Sequence, residues 1–308
     1  MAASAITGGW LADRLLGDPA RLHPVAGFGC LAAALDQRLW RPTRRAGALY
    51  ACSLVGGVAA AVAWLDHSLA GRSWLRGSFR VVIVWAALGG RSLERAALGL
   101  ADAVDAGDLE RARILARSLV GRDTSELDAA ELCRAAVESV AENTSDAVVA
   151  PLLWGALLGV PAVAAYRAAN TLDAMVGNRS ERYRSFGWAA ARLDDILNWP
   201  AARFSALLAI AWAPAVDGGR GAAWAAAFRD GASHPSPNAG RVEGAFAGAL
   251  SLTLGGVNRY AHATEQRPTL GTGTAPTVAD IARAVRLARL VGGSATALCS
   301  ALAWAARR

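Results

Sequence analysis

Lysine is absent from this chain of 308 residues. All 32 of its basic residues are arginine. The absence excludes the chemistries that need an ε-amine: a P-loop phosphate lysine, a pyridoxal Schiff base and a lysyl-adenylate intermediate. Arginine, by contrast, suits bidentate binding of phosphate or carboxylate groups. The formal net charge of +7 therefore favours anionic lipid headgroups or a polyanionic substrate as partners.

Cysteine and histidine are sparse, and their spacing argues against the common metal sites. The four cysteines lie far apart in mostly apolar surroundings and form no Cys-x-x-Cys pair. The four histidines show no paired ligand spacing. We therefore expect buried, reduced thiols and no zinc site.

A nucleic-acid partner is not expected either. The arginines are scattered among uncharged runs and do not form a patch with interleaved aromatic residues. No nucleic-acid-binding motif is present. The basic charge is better explained by a membrane surface or a small anionic substrate.

Strand signals are scarce, whereas long apolar runs are abundant. Hydrophobic residues make up 54% of the chain, and the mean hydropathy is +0.28. Alanine dominates the apolar positions and apolar–polar alternation is rare, which indicates helices. The uncharged runs Ala46 to Leu65 and Ala147 to Tyr166 are each about 20 residues long, the length that spans a bilayer. The sequence predicts an all-α, polytopic integral membrane protein, with polar motifs in re-entrant segments or loops.

We expect one membrane-embedded helical domain over residues 1–308 and a multi-pass location in the cell membrane. The charge density rises at about 91–146, where apolar residues recur at helical spacing, so this section is predicted to be helical and water-facing. The arginine cluster at 41–45 precedes the first long apolar run and should be cytoplasmic. The polar stretch 258–277 is predicted to be a loop.

The pattern Asn-Thr-x-Asp-Ala-x-Val occurs twice, beginning at Asn143 and at Asn170. If the first copy is helical, Glu138, Glu142 and Asp146 fall four apart on one face. Like charges at this spacing repel, so the face should meet a cation, an arginine or water.

Between the two copies, Gly159-Val160-Pro161 interrupts an apolar run. A straight span would put the two copies on opposite sides of the bilayer, whereas a hairpin at this point would bring them together. We favour the hairpin, because polar groups at membrane depth are tolerated when they line a cavity enclosed by protein.

Four stretches carry a recognisable combination of motifs. They are Gly17-Asp18-Pro19 with His23-Pro24-Val25; Ala141 to Asp146 with Pro151; Tyr166 to Gly177, continuing through Arg182-Tyr183 and Phe186-Gly187 to Asn198; and Ser236-Pro237-Asn238-Ala239-Gly240 with Glu243. In this order they resemble the cobalamin-biosynthesis family of adenosylcobinamide-phosphate synthases. The stretches span most of the chain, and the length of the third makes a chance similarity improbable.

The resemblance implies an ATP-dependent, Mg²⁺-requiring ligase of the bacterial cell membrane. Such enzymes join the free propionate carboxylate of adenosylcobyric acid to the amine of (R)-1-amino-2-propanol or its O-phosphate. Activation through an acyl phosphate and through an acyl adenylate both stay open, as does the need for a partner protein of the pathway.

Amide formation needs an activated carboxylate, a metal that screens the nucleotide phosphates, and an uncharged amine. The predicted catalytic residues are Glu138, Glu142, Asp146, Asp173, Asp194 and Asp195. Within this set the predicted Mg²⁺ ligands are Glu142, Asp146, Asp173 and Asp195, and Glu138 or Asp194 is the predicted base. The predicted substrate-binding residues are Asp18, His23, Asn143, Asn170, Arg182, Tyr183, Arg192, Asn198, Arg203, His234, Ser236, Asn238 and Glu243.

Structural explanations compete with these assignments. An Asn-Thr-x-Asp motif is often a helix cap, and Ser233 to Gly240 is also typical of a tight loop. Two other functions share some of the features. A membrane prenyltransferase would bind Mg²⁺-diphosphate without a nucleotide, and a membrane sensor or transporter would use the polar cluster as a solute pathway.

Overall fold

The computed structural model describes residues 2–18, 23–178, 180–260 and 263–306. In these residues the helices are α1 (Ala2–Leu16), α2 (Pro24–Leu39), α3 (Arg44–Ser68), α4 (Ser73–Ala87), α5 (Gly90–Asp105), α6 (Leu109–Ala116), α7 (Ala129–Thr144), α8 (Ala150–Leu158), α9 (Val160–Val176), α10 (Tyr183–Phe186), α11 (Trp188–Trp212), α12 (Arg220–Phe228), α13 (Ala239–Leu250) and α14 (Val278–Ala305). Two strands, β1 (Leu254–Tyr260) and β2 (Ala263–Leu270), form an antiparallel hairpin. The prediction of an all-α membrane protein is confirmed.

Three of the described helical segments are long and apolar enough to cross a membrane. They are Arg44–Ser68, Trp188–Val216 and Val278–Ala305. The first of these, α3, contains the first uncharged run of the sequence and begins after Thr43, whose hydroxyl accepts the backbone N–H of Ala46 at 3.3 Å. Such a side-chain cap satisfies one of the free N–H groups at a helix start.

The chain divides into two compact units, each built from separate segments. Unit 1 comprises Met1–Gly89, Ala150–Asn198 and Ala295–Arg308, and unit 2 comprises Gly90–Val149 and Trp199–Ser294. The first segment of unit 2 has nearly the bounds of the charged section predicted at 91–146. The expectations of one domain over 1–308 and of a water-facing section stay predictions.

In unit 1, α3 packs on α9, and the consecutive helices α8 and α9 pack on each other. The helical run is interrupted at Gly159, whose φ of +80° lies in the left-handed region that favours glycine. A hairpin that brings the two motifs together stays a prediction. The first Asn-Thr-x-Asp motif lies in unit 2 and the second in unit 1.

In unit 2, α12 packs on α13, and α7 contacts α5, α6 and α13. The β hairpin also belongs to this unit, so the prediction of a loop over 258–277 was wrong for 258–260 and 263–270, which form strands, whereas 271–277 lies in neither strand nor helix. Two side chains of α7 hold strand β1 in place. Arg134 donates to the carbonyls of Gly255 and Val257, and Glu138 accepts the N–H of Gly255 at 2.9 Å. The segment folds as strands because of these tertiary contacts, which apolar–polar alternation does not encode.

Within the first Asn-Thr-x-Asp motif, the α-helix changes to a π-helix. Regular α geometry ends at Thr144, and Ser145–Val149 forms a π-helical turn that contains Asp146. The predicted four-residue spacing therefore holds from Glu138 to Glu142, whereas Asp146 lies where the helix is wider. Pro151 follows two residues after this turn, and a proline lacks the N–H that a regular helix needs.

Candidate functional site

A polar cavity of unit 2, which we call the glutamate cavity, has a volume of about 110 Å³. It brings together residues from α7, α13, the β hairpin and the turn after α6. Its lining residues are Leu119, Val120, Gly121, Arg122, Glu138, Ser139, Glu142, Glu243, Asn258 and Arg267. Three predicted site residues, Glu138, Glu142 and Glu243, thus share one cavity.

Glu138 is fixed on one side of the glutamate cavity by strong contacts. Its Oε2 accepts from Arg122 Nη2 at 2.8 Å, and its Oε1 lies 3.6 Å from Arg134 Nη1. Arg122 also donates to the Asn258 side chain, which ties the β hairpin to this pair. Both members of the Arg122–Glu138 pair are buried. Two guanidiniums and the backbone N–H of Gly255 thus surround the Glu138 carboxylate and hold it in place.

Glu243 differs from Glu138, because its carboxyl group is buried and accepts no hydrogen bond from the described residues. Its Oε2 lies 4.0 Å from Nε2 of His234, and its Oε1 lies 4.0 Å from Nη1 of Arg267. Both distances exceed the range of a hydrogen bond. A buried carboxyl group with two unused oxygens is costly unless another group completes its contacts.

The pKa shifts of this pair favour uncharged forms. Burial raises the pKa of Glu243 well above its ordinary value, and the charges of Glu138 and Glu142 raise it further. Burial, with a further contribution from Arg267, lowers the pKa of His234. The two groups are therefore not an ion pair at neutral pH. A cation that enters the cavity would reverse this balance for Glu243 by favouring its ionised form.

The loop before α13 holds His234 in place. The ring Nδ1 of His234 accepts the backbone N–H of Ser236 at 3.1 Å, which leaves the Nε2 atom to face Glu243. The Ser236 hydroxyl accepts the N–H of Ala239, the first residue of α13, at 3.1 Å. A Cβ at Gly240 would lie 2.3 Å from the Cβ of His234, so the close approach requires glycine here.

Arg203 supports the same loop. Its Nη1 donates to Asn238 Oδ1 at 3.1 Å and to the Trp199 carbonyl at 3.0 Å. Its guanidinium also lies 4.2 Å from the centre of the Trp199 ring. Ser236, Asn238 and Arg203 thus make contacts that shape the loop, whereas His234 and Glu243 face the cavity region.

In unit 1, a buried network joins the second motif to the Asp-Asp cluster. Asp194 accepts from Asn170 Nδ2 at 3.2 Å and from Asn198 Nδ2 at 2.9 Å. Asn198 Oδ1 in turn accepts from the Tyr166 hydroxyl at 2.7 Å. The predicted residues Asn170, Asp194 and Asn198 are therefore neighbours. Their polar groups bond to one another and link α9 to α11.

Two other predicted binding residues, Arg182 and Tyr183, are paired with an aspartate that sequence reasoning missed. Asp36 Oδ2 accepts from Arg182 Nη2 at 3.1 Å and from the Tyr183 hydroxyl at 2.8 Å. Burial of Tyr183, together with its bond to Asp36, raises the pKa of its phenol. The Arg182 guanidinium also lies 4.9 Å from the ring centre of Trp40. These contacts fasten α10 to α2.

The other predicted residues lie apart from these networks. His23 caps α2 by accepting the N–H of Val25 at 3.2 Å, and its Nε2 lies 3.9 Å from Asp18 Oδ1. Pro19, from the same stretch, lies outside the described residues. On α11, the exposed Arg192 pairs with Asp195 at 3.2 Å. Asn143 bonds back to Ser139 within α7, with a distance of 3.0 Å to the carbonyl.

No three or more His, Cys, Asp or Glu side chains are grouped to hold a metal ion in the part of the chain that the structure describes. Mg²⁺ does not require such a group, because one or two carboxylates usually hold it together with substrate phosphates and waters. The glutamate cavity contains one predicted Mg²⁺ ligand, Glu142. Of the other predicted metal ligands, Asp146 lies in the π-helical turn, and Asp173 and Asp195 belong to unit 1.

Besides Asp36, sequence reasoning did not select four residues that shape the glutamate cavity. They are Arg122, Arg134, Asn258 and Arg267. One signal was available, since Arg134 and Glu138 are four apart on a helix and can pair. The other three are single polar residues, and only the tertiary fold brings them to the cavity.

Comparison with known proteins supplies the relatives of this chain. The model of the CobD/Cbib protein family matches residues 6–288. A "Cobalamin biosynthesis protein CobD" from Mycobacterium tuberculosis is 52% identical over 299 residues, 97% of this chain and 95% of that protein. Proteins of the same name from Chromobacterium violaceum and Rhodobacter capsulatus are 44% and 40% identical, over 90% and 87% of this chain and 89% and 85% of their own lengths. No solved structure matches the chain at a significant level.

Proposed function

The chain belongs to the CobD/CbiB family of cobalamin-biosynthesis proteins, as the four stretches suggested, and on this premise we propose that it is an ATP-dependent amide ligase. The reaction joins adenosylcobyric acid to (R)-1-amino-2-propanol or its O-phosphate and gives adenosylcobinamide or its phosphate. It takes place at the cell membrane, which the chain crosses several times. One observation carries the proposal: Glu243 is buried beside a small charged cavity with both carboxyl oxygens unused.

The size and charge of the glutamate cavity suit the amine donor. A volume of about 110 Å³ accommodates a small aminoalcohol, whereas a corrin ring is far too large to enter. The aminoalcohol phosphate carries an ammonium group at one end and a phosphate at the other. Glu243 is suited to the ammonium group, and Arg267, which lies 4.0 Å from Glu243, is suited to the phosphate.

Glu243 would also accept a proton. An ammonium nitrogen has no lone pair, so it must lose one proton before it can attack the activated acyl carbon. The positive charge of the ammonium favours the ionised form of Glu243, and its raised pKa then makes this carboxylate a stronger base than an exposed one. The neutral amine forms the C–N bond, the phosphate or nucleotide leaves with the electron pair of the C–O bond, and the nitrogen loses its second proton to an oxygen of this leaving group.

The other groups would position the reactants. Mg²⁺, when bound, screens the nucleotide phosphates, and Glu142 is the predicted ligand that lines this cavity. Arg122 and Glu138 fix one wall through their buried pair. Asp146, Asp173 and Asp195 keep their predicted roles in the proposal, whereas Glu243 replaces Glu138 or Asp194 as the base. A partner protein of the pathway that delivers the corrinoid is also part of the proposal.

The test compares Glu243→Gln with Glu110→Gln, a matched change at an exposed glutamate of α6. The protein is purified, reconstituted in lipid and supplied with adenosylcobyric acid, aminopropanol phosphate, ATP and Mg²⁺. We expect Glu243→Gln to lower kcat by about 100-fold or more, the usual effect of removing a general base, and Glu110→Gln to leave it unchanged. Equal rates in the two variants would remove Glu243 from the chemistry.

A further inference from the structure

A second charged cluster lies in unit 1 and contains none of the residues assigned above. Asp66, near the end of α3, is held by two arginines of α4. Arg80 binds it in a bidentate manner, with Nε to Oδ1 at 2.6 Å and Nη2 to Oδ2 at 2.8 Å. Arg76 donates to Oδ2 from Nε at 3.1 Å and from Nη2 at 2.6 Å.

The cluster has an excess positive charge, because two guanidiniums share one carboxylate. Asp66 and Arg80 line a cavity of about 280 Å³. The other lining residues are uncharged: Ala5, Ile6, Val84, Gly155, Leu158, Gly159, Val160 and Pro161. A partly buried charge with no counter-charge is unfavourable, so the cavity favours an anion.

Each of the two arginines also has N–H donors that do not bond to Asp66. Each guanidinium has five N–H groups, and Asp66 accepts from only two nitrogen atoms of each arginine. The Nη1 groups of Arg76 and Arg80 are therefore not needed by Asp66. Guanidinium pairs of this kind suit the oxygens of a phosphate group.

The aromatic residues locate the cluster at a membrane boundary. Trp64 and Trp74 are 69% and 71% exposed, although exposed tryptophan is unfavourable in water. At the other end of α3, the Arg44 guanidinium lies 5.1 Å from the ring centre of Trp188. Residues 44 and 64 of one helix are about 30 Å apart at 1.5 Å per residue, the thickness of the hydrocarbon core. Tryptophan concentrates at both interfaces of a bilayer.

We propose that Asp66, Arg76 and Arg80 form a binding site for the phosphodiester headgroup of an anionic phospholipid such as phosphatidylglycerol. The single negative charge of a phosphodiester equals the excess charge of the cluster. The neighbouring Leu157 and Leu158 are 50% and 68% exposed. These side chains provide an apolar surface for the acyl chains, which favours a lipid over a soluble phosphate.

The test uses a variant that leaves the main ion pair intact. Arg76→Gln removes the excess charge but keeps the bidentate Arg80–Asp66 pair, so the variant should fold. Arg45→Gln is the matched control, because it removes an exposed arginine near the opposite end of α3. Asp66→Asn is the reverse variant, which increases the positive charge. Binding to the intact chain in detergent micelles is measured by native mass spectrometry for phosphatidylglycerol, phosphatidylcholine and glycerol 3-phosphate.

The proposal predicts that phosphatidylglycerol binds at least about tenfold more weakly to Arg76→Gln than to the unmodified chain or to Arg45→Gln. It also predicts that Asp66→Asn binds this lipid at least as tightly as the unmodified chain. Equal affinity in Arg76→Gln and Arg45→Gln would overturn it. Equal binding of phosphatidylcholine would also overturn it, and competition by glycerol 3-phosphate at the lipid's own concentration would assign the site to a soluble anion instead.

Discussion

At the residue scale, two buried glutamates of unit 2 differ in their hydrogen bonds, and this difference separates their proposed roles in the glutamate cavity. Glu138 is held by Arg122, Arg134 and a backbone N–H, whereas Glu243 accepts no hydrogen bond from the described residues. The first arrangement stabilises a charge and the second penalises one. Glu138 therefore shapes the cavity, and Glu243 is the group that a cationic ligand would complete.

The raised pKa of Glu243 predicts a specific dependence of stability on pH. Below its ordinary pKa of 4.5 the group is protonated whether the chain is folded or unfolded, so its contribution to stability is fully present. As the pH rises from that value through the raised folded-state pKa, the unfolded chain gives up the proton more easily, and this contribution is lost. Glutamine does not titrate, so Glu243→Gln should show a smaller loss of stability over this pH range.

Thermal unfolding of the detergent-solubilised protein, followed from pH 4 to pH 9, measures this effect. Glu110→Gln is again the control, since Glu110 is exposed. Parallel profiles for Glu243→Gln and the unmodified chain would contradict the burial argument.

At the scale of the elements, the long helices could be predicted from the sequence, whereas the β hairpin and the π-helical turn could not. An uncharged run such as Ala46 to Leu65 has few alternatives to a helix, because its backbone groups must be satisfied within the segment. The β hairpin depends on Arg134 and Glu138, which are more than a hundred residues away in sequence. Local patterns cannot report such contacts.

The candidate site also contains some residues that could be predicted from the sequence and others that could not. Glu243 was found through a motif that resembles a family, and His234 through the polar turn before it. Asn170 was found through the repeated Asn-Thr-x-Asp pattern, and Asp194 and Asn198 through the Asp-Asp cluster. Arg122 and Arg267 carry no local signal, since an isolated arginine is common in this chain. Their roles become visible only when the turn after α6 and strand β2 are packed beside α13.

Gly177, at the end of α9, gives a prediction for the second Asn-Thr-x-Asp motif. A Cβ at this position would lie 1.8 Å from Asp173 Oδ1 and 2.7 Å from the Asp173 carbonyl oxygen. Alanine must therefore displace Asp173 or the helix end. We expect Gly177→Ala to lower the free energy of unfolding by about 1–3 kcal/mol, the range for overpacking.

A matched substitution within α3 is the control for this prediction. A Cβ at Gly57 has no neighbour within 4 Å. Gly57→Ala should cause no loss, because alanine favours the helix without a clash. The two variants are compared by thermal unfolding in the same detergent, and an equal effect in both would contradict the close packing of Gly177 on Asp173.

At the scale of the whole molecule, the presence of arginine as the sole basic residue type other than histidine suits a protein whose charged groups are often buried among apolar residues. A guanidinium stays charged when it is buried, whereas a buried lysine readily loses its proton. Arg122 in unit 2 and Arg80 in unit 1 can therefore keep their charges beside a carboxylate in each unit. The same property suits both proposals, the amine-donor cavity and the phospholipid site.

The measurement that tests the central claim most directly is amide formation by the intact protein in lipid. It is supplied with adenosylcobyric acid, aminopropanol phosphate and Mg²⁺, with and without ATP, and with cell extract added in a parallel reaction. The account predicts adenosylcobinamide phosphate only when ATP is present. Product without any nucleotide, or no product even with the extract, would contradict the assignment as an ATP-dependent ligase.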